Sequence, residues 1–508
     1  MKRNAILTFF VGYCVFCFSQ ELNFSNKFET LKKNVPLAII NSHKDYFHVL
    51  RYNKVLHDFT IERRNKPQAD ITGFTPLKLD FVNADWFNYE NLDYVLFQQD
   101  KSLYFIFEKV LNFKRTLYLK VIDSVTNSSA FFEIIYVEKE KNALDFNVEF
   151  KKTNDNNILI IVKQTYNNFV KKTVTLYNIG KLKVDWVKKL PLENLYTGYS
   201  DAFECNSLGD LFYALIKSQV TSYERKYVDH MQAQVPVFYY DTLALISYRE
   251  RGKALINKKV LLHNFNRLNT IKLSVNDNQV VVFIHYASQK EDSRDKTVFF
   301  LNAKFSCDLK DESYNSSHAL NETIKNQLTF YDGTDSKYVG DKRYEFFGSF
   351  VAGNICYYVS ERKDENYYKE LLVCEMDISS GDIISQTVIP RKILIFKGRT
   401  RLKNVAEAMP FFWDGNLSFS LLESPANAKR SATNFDFHRF KRENNLWNSN
   451  IVQYSLKKIG SPEKKLLYHN SDFDLVPLYY QNTEQSDMVF YLSNGKSERF
   501  AILKQNTF

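Results

Sequence analysis

The chain of 508 residues is poor in the residues that punctuate and staple small folds, with 15 glycines, 10 prolines and 6 cysteines. Glycine and proline this sparse leave no linker-like stretch, which argues against a string of separate sandwich domains. So few cysteines exclude a disulfide scaffold. Catalytic signatures are missing as well: there is no His-Glu-x-x-His, no Gly-x-Ser-x-Gly, no phosphate-cradling glycine-rich loop and no pair of Cys-x-x-Cys elements. No cofactor and no metal site is therefore expected. The net charge of +10 is spread along the chain, and no dense basic tail exists of the kind nucleic-acid binding requires.

Long apolar runs are also scarce. One occurs at the N-terminus, from Ile6 to Phe18, behind the basic pair Lys2 and Arg3. At about 13 residues it falls short of the roughly 20 that span a bilayer, so it is expected to be a signal peptide over residues 1–19, with Gln20 as the new N-terminus. Tyr13 and Phe16 precede Cys14 and Cys17, where a lipid-attachment signal wants a small residue. Residues 20–508 are expected to form one exported domain without a transmembrane segment, periplasmic or at the cell surface. Of its four cysteines, Cys356 and Cys374 lie equidistant from the centre of a hairpin about residue 365. Facing each other they would form a disulfide; otherwise they pack as two small apolar side chains.

What the sequence has in abundance is β-branched and aromatic residues, with 43 Phe and 32 Tyr. They recur in a unit of apolar strand, short polar turn and aromatic-rich second strand. Second strands start at Tyr46, Ser102, Ile158, Leu211, Val280, Ile355, Leu417 and Met488, about 53 to 75 residues apart. This spacing is too long for one hairpin and suits a four-stranded blade with loops. Third and fourth strands with the same bias follow several copies, as in 116–123 and 131–138. The expected fold is all-β, a β-propeller of eight blades, with seven as the alternative. The last copy stops at its third strand, so residues 21–25 are expected to supply the missing outer strand and close the ring.

Candidate sites were sought in the loops between second and third strands and between blades, which emerge on one face. Two are expanded, residues 224–240 and 425–448. The first contains Tyr239 and Tyr240. The second interleaves Arg430, His438, Arg439, Lys441 and Arg442 with Phe437 and Trp447, a mixture able to bind an acidic protein partner or a glycan. A polar tract over 307–325 is expected to be a loop on the same face, and the stretch most prone to disorder. Asp93, Asp201, Glu407 and Asp474 fall near the start of first strands, close to the axis; glycoside cleavage would need two of them at roughly 5 to 10 Å. His43, His48 and His57, and the acidic loop with Asp332, Asp335 and Asp341, lack metal-ligand spacing.

The signal peptide cut before Gln, the Lys-, Asn-, Phe- and Tyr-rich composition and the repeats resemble exported β-propeller proteins of Bacteroidota-like bacteria. The resemblance carries no motif and transfers no active site. It implies a non-enzymatic interaction or scaffold module, such as a subunit of a cell-envelope or secretion assembly. The alternative is a carbohydrate-binding or carbohydrate-active propeller.

Overall fold

The computed structural model describes residues 22–503, outside residues 78–93, 325–343, 395–407, 424–449 and a number of shorter connecting stretches. The signal-peptide expectation lies outside the described residues. Eight antiparallel sheets follow one another along the chain, each of four principal strands, named a to d from the inside outwards. Each b strand starts within one residue of the position expected from the repeat: Tyr46–Asn53, Ser102–Leu111, Asn157–Thr165, Leu211–Val228, Gln279–Gln289, Ile355–Lys363, Asn416–Glu423 and Met488–Ser493.

The b strands show why the chain folds this way. In blade 3, Ile158 to Val162 are all buried, with Ile158, Ile160 and Val162 packing towards blade 2 and Leu159 and Ile161 towards blade 4. Successive strand residues point to opposite faces, so an uninterrupted apolar run is what a sheet buried on both sides demands. Eight hydrophobic clusters result, one at each junction between neighbouring blades. The cluster of Ile39, Phe47 and Val49 with Val489, Tyr491, Phe500 and Ile502 joins blade 8 to blade 1. A ring of eight blades is thus complete.

Closure uses both ends of the chain. Leu22–Phe24 pairs antiparallel with Ser497–Leu503, matching Leu22 to Leu503 and Phe24 to Ala501, and becomes strand d of blade 8. Ser25 extends the join: its N–H donates to the Phe500 carbonyl and its Oγ accepts from the Phe500 N–H, both at 2.8 Å. A second clasp is the short strand Tyr479–Gln481, which runs parallel to strand a of blade 1. Beneath these pairings lies a buried charge network. Arg51 Nε meets Glu62 at 2.8 Å, Arg64 meets the same carboxylate at 2.7 Å, and Glu498 binds Arg51 and accepts from the Tyr491 hydroxyl at 2.9 Å. Burial works against the Arg51 charge, but Glu62 and Glu498 outweigh it and hold its pKa above the ordinary value.

Three sequence expectations are corrected. Cys356 lies opposite Met376, and Cys374 opposite Tyr358, because the strands pair about residue 366 and not 365, which moves each partner by two positions. The thiols are diagonal neighbours rather than a facing pair, both free and buried in one cluster, and burial raises both thiol pKa values. The polar tract at 307–325 contains strand d of blade 5, Glu312–Ala319. An outer strand meets solvent on one face, so it is built from residues that hide its strand character. Residues 224–240 are not a loop: they belong to Leu211–Val228 and Met231–Arg249, strands of 18 and 19 residues paired throughout as one hairpin.

Candidate functional site

Two features of the ring are candidate sites, a long hairpin and a cavity. The first is the long hairpin of blade 4. Its flanking strands stop early: strand a, Tyr199–Cys205, reaches only Lys217, and strand d, Ala254–Phe265, reaches only Tyr240. Beyond them the hairpin continues from Gln219 against Tyr239 to Val228 against Met231, with a bulge between Val220 and Ser222. About ten residues per strand at ~3.3 Å each give a two-stranded ribbon roughly 30 Å long. Among the described residues this ribbon pairs with no third strand, so both its edges offer free backbone donors and acceptors. Pro236, opposite Tyr223, removes one donor from the second strand. The edge formed by residues 219–228 contains no proline. Tyr239 and Tyr240 therefore sit at the root of the ribbon, in register with Gln219 and Ser218.

The second feature is a cavity of about 480 Å³ where the a strands of blades 3, 4, 5 and 6 converge. Charged side chains dominate its polar lining. Lys163 joins Glu149 at 2.9 Å and approaches Asp201 at 3.7 Å. Lys151 joins Glu204 at 2.8 Å and also donates to the Phe203 carbonyl at 2.6 Å. Fully buried Lys172 completes the pairing of Asp201 and contacts the Tyr213 hydroxyl at 3.3 Å. Lys272 enters from blade 5, half-buried. Burial and then Lys151 lower its pKa, while Glu204 opposes them. Each carboxylate here is thus matched to a lysine, with Glu149 and Asp201 on either side of the Lys163 ammonium.

Of the axial carboxylates expected from sequence, Asp201 lines this cavity. Asp474 pairs through its backbone with Ser493 in blade 8, whereas Asp93 and Glu407 lie outside the described residues. The same holds for Arg430, Phe437, His438, Arg439, Lys441, Arg442 and Trp447, for His43 and His57, and for Asp332, Asp335 and Asp341. His48 is buried in strand b of blade 1, its ring edge-on to Tyr46 at 5.3 Å. No group of three His, Cys, Asp or Glu side chains able to hold a metal occurs among the described residues. The same residues contain no helix long and apolar enough to cross a membrane.

Sequence reasoning missed the lysines of the cavity. Their signal was faint: Glu149 and Lys151, Glu204, and Lys272 alternate with apolar residues in the first strands of successive blades, among other polar residues that mask them.

No family model and no curated protein matches the chain. Solved structures similar to it include the β-propeller domain of the Trilobed protease from Pyrococcus furiosus, at 9% identity and a TM-score of 0.35, covering 86% of this chain and 96% of that one. Polysaccharide lyase Uly1 matches at 8% identity and a TM-score of 0.40, covering 95% and 100%. The acylaminoacyl peptidase of Pyrococcus horikoshii matches at 10% identity and a TM-score of 0.34, covering 94% of this chain and 58% of that one. The chain is an eight-bladed β-propeller.

Proposed function

We propose that this propeller is an exported, non-enzymatic interaction module that docks a protein partner through the ribbon of blade 4. The ribbon carries the proposal. Isolated two-stranded hairpins are marginal in water, and an unpaired strand edge is the template that strand addition uses. A ring carrying an edge that no described strand covers fits a docking subunit of an envelope or secretion assembly. The partner supplies an extended segment to the proline-free edge of residues 219–228, and main-chain hydrogen bonds provide the affinity.

Glycoside cleavage is the weaker reading, because Glu149, Asp201 and Glu204 are each neutralised by lysine instead of forming an acid and base pair.

Replacing residues 219–239 by a two-residue Asn-Gly turn tests the proposal. Recovery of the partner from the envelope fraction of the native cell is expected to fall below detection, with thermal unfolding unchanged, since the deleted pairs lie outside the blade. Undiminished recovery would overturn it. Export is tested separately: the mature chain is expected to begin at Gln20 by intact mass and N-terminal sequencing, and a retained Met1 contradicts that expectation.

A further inference from the structure

We infer that the face carrying the turns between strands b and c of blades 1 and 2 rests on an anionic lipid surface, anchored by the ring of Phe113. The inference stands apart from the docking function, which uses the ribbon.

Phe113 occupies a position that suits another residue. In blade 2, Leu111 pairs with Lys114, so residues 112 and 113 alone connect strands b and c. The favoured two-residue connection has φ above zero at both positions, with glycine preferred at the second. Phe113 has a φ of 65°, and its side chain is 71% exposed. That backbone is strained for a bulky residue, and the exposed ring recovers little of the strain through burial within the chain. Strain of this kind gathers where function uses it.

The ring belongs to a linked surface. Lys139 donates its N–H to the Phe113 carbonyl at 2.9 Å, holds its ammonium 5.0 Å from the ring centroid, and donates from that ammonium to the Leu144 carbonyl at 2.8 Å. Leu144 is 62% exposed, and Val110, just before the turn, is exposed as well. In blade 1 the Asn53 side chain accepts from the Val55 and Leu56 N–H groups, fixing a turn that leaves both side chains more than half exposed. Connections from b to c and from one blade to the next leave the ring on the same face, so these five apolar side chains share one side of it. Four of the five are aliphatic and give a sugar ring no face to stack on. Apolar tips with lysines beside them are what the boundary of headgroup and acyl chain accepts. Lys139 and Lys141 bring the charge that lipid phosphates complement, while Glu138 and Glu140 in the same stretch are matched by Lys114 and Lys171. A contact centred on blade 2 tilts the ring, so that the ribbon of blade 4 lies beside the membrane.

Co-sedimentation of the natively purified chain with two kinds of vesicle tests the inference, one of phosphatidylcholine alone and one of phosphatidylcholine and phosphatidylglycerol at about two to one. The mixed vesicles are expected to bind the chain, and the neutral ones to bind it at least about tenfold more weakly. Phe113→Gly is expected to weaken binding to mixed vesicles by about tenfold and to keep its unfolding temperature, since glycine suits the left-handed backbone. A merely structural role for Phe113 predicts no change in binding. Lys141→Gln is expected to weaken binding to mixed vesicles by about fivefold and to leave binding to neutral ones unchanged. Phe113→Trp is expected to move the chain's tryptophan emission to the blue on mixed vesicles, beyond any shift of the parent, because the tip itself enters lipid. Undiminished binding by Phe113→Gly, equal binding to the two vesicles, or no binding to either would each overturn the assignment, the last leaving a protein as the partner of this face. The ribbon-trimmed chain is expected to bind vesicles like the intact one, so this surface and the docking function stand or fall separately.

Discussion

Glu498→Ala is expected to destabilise the folded chain by about 3–5 kcal/mol, measured by equilibrium urea unfolding, because removing one partner of a buried ion pair strands the other. Glu498 sits in strand c of blade 8, 4% exposed, and its carboxylate is bound by Arg51, which is 2% exposed and belongs to blade 1. Arg64 lies 3.7 Å from the same carboxylate. Losing it leaves Glu62 alone to balance two buried guanidinium groups, and also strips the Tyr491 hydroxyl of its acceptor. Glu498→Gln keeps hydrogen-bonding capacity without the charge and is expected to fall between the two. The double replacement Arg51→Met with Glu498→Leu is expected to recover much of the loss, since Arg64 and Glu62 remain a matched pair and apolar groups of similar volume satisfy the junction. A loss below about 1 kcal/mol in the single variant would show that the network is incidental to ring closure.

Acid is expected to destabilise the junction of blades 5 and 6 through His285. This side chain is fully buried, stacked on Phe300 at 4.7 Å and close to Tyr344, with its Nδ1 3.4 Å from the Ser360 hydroxyl and no partner at Nε2. Burial pushes its pKa from 6.5 down to about 3. Between those values the unfolded chain binds a proton that the folded chain refuses, so stability rises with pH across this window and is lost as pH falls through it. At pH 4 the penalty is about 3 kcal/mol relative to pH 7, from ~1.4 kcal/mol for each unit of pKa difference. His285→Phe removes the titrating group and keeps an aromatic ring in the pocket. The difference in unfolding free energy between pH 7 and pH 4 is expected to shrink by that amount in the variant. An unchanged difference would mean that His285 takes up its proton without unfolding.

The blades were legible because their signal is repeated and apolar. A b strand buried on both faces must be an apolar run, and Val280 to Ile284 or Val489 to Leu492 can be little else. Closure by residues 21–25 followed from counting strands in the last copy. Register was harder. The strands pair about residue 366, so Cys356 meets Met376 instead of Cys374, and the bulge between Glu361 and Lys363, which adds one residue to this offset, leaves little mark in composition. Strand d of blade 5 was hidden because an outer strand with Asn315, Ser316 and Ser317 reads as a loop. The ribbon of blade 4 reads as a loop because Glu224, Arg225 and Lys226, then Gln232 and Gln234, interrupt its apolar residues. The cavity was the least legible, because its ion pairs join residues distant in the chain, as Lys151 and Glu204 do, and no linear spacing encodes them. Only the ring brings those strands to one place.

The way the two ends meet has a mechanical consequence. Leu22 lies opposite Leu503, so the chain enters and leaves the closing pair at the same end. Tension between the tails therefore peels this pair one backbone bond at a time instead of shearing all of its bonds together. A latch backed by buried charges thus yields to a directed pull, and a load on both tails is expected to open the ring at blade 8 first.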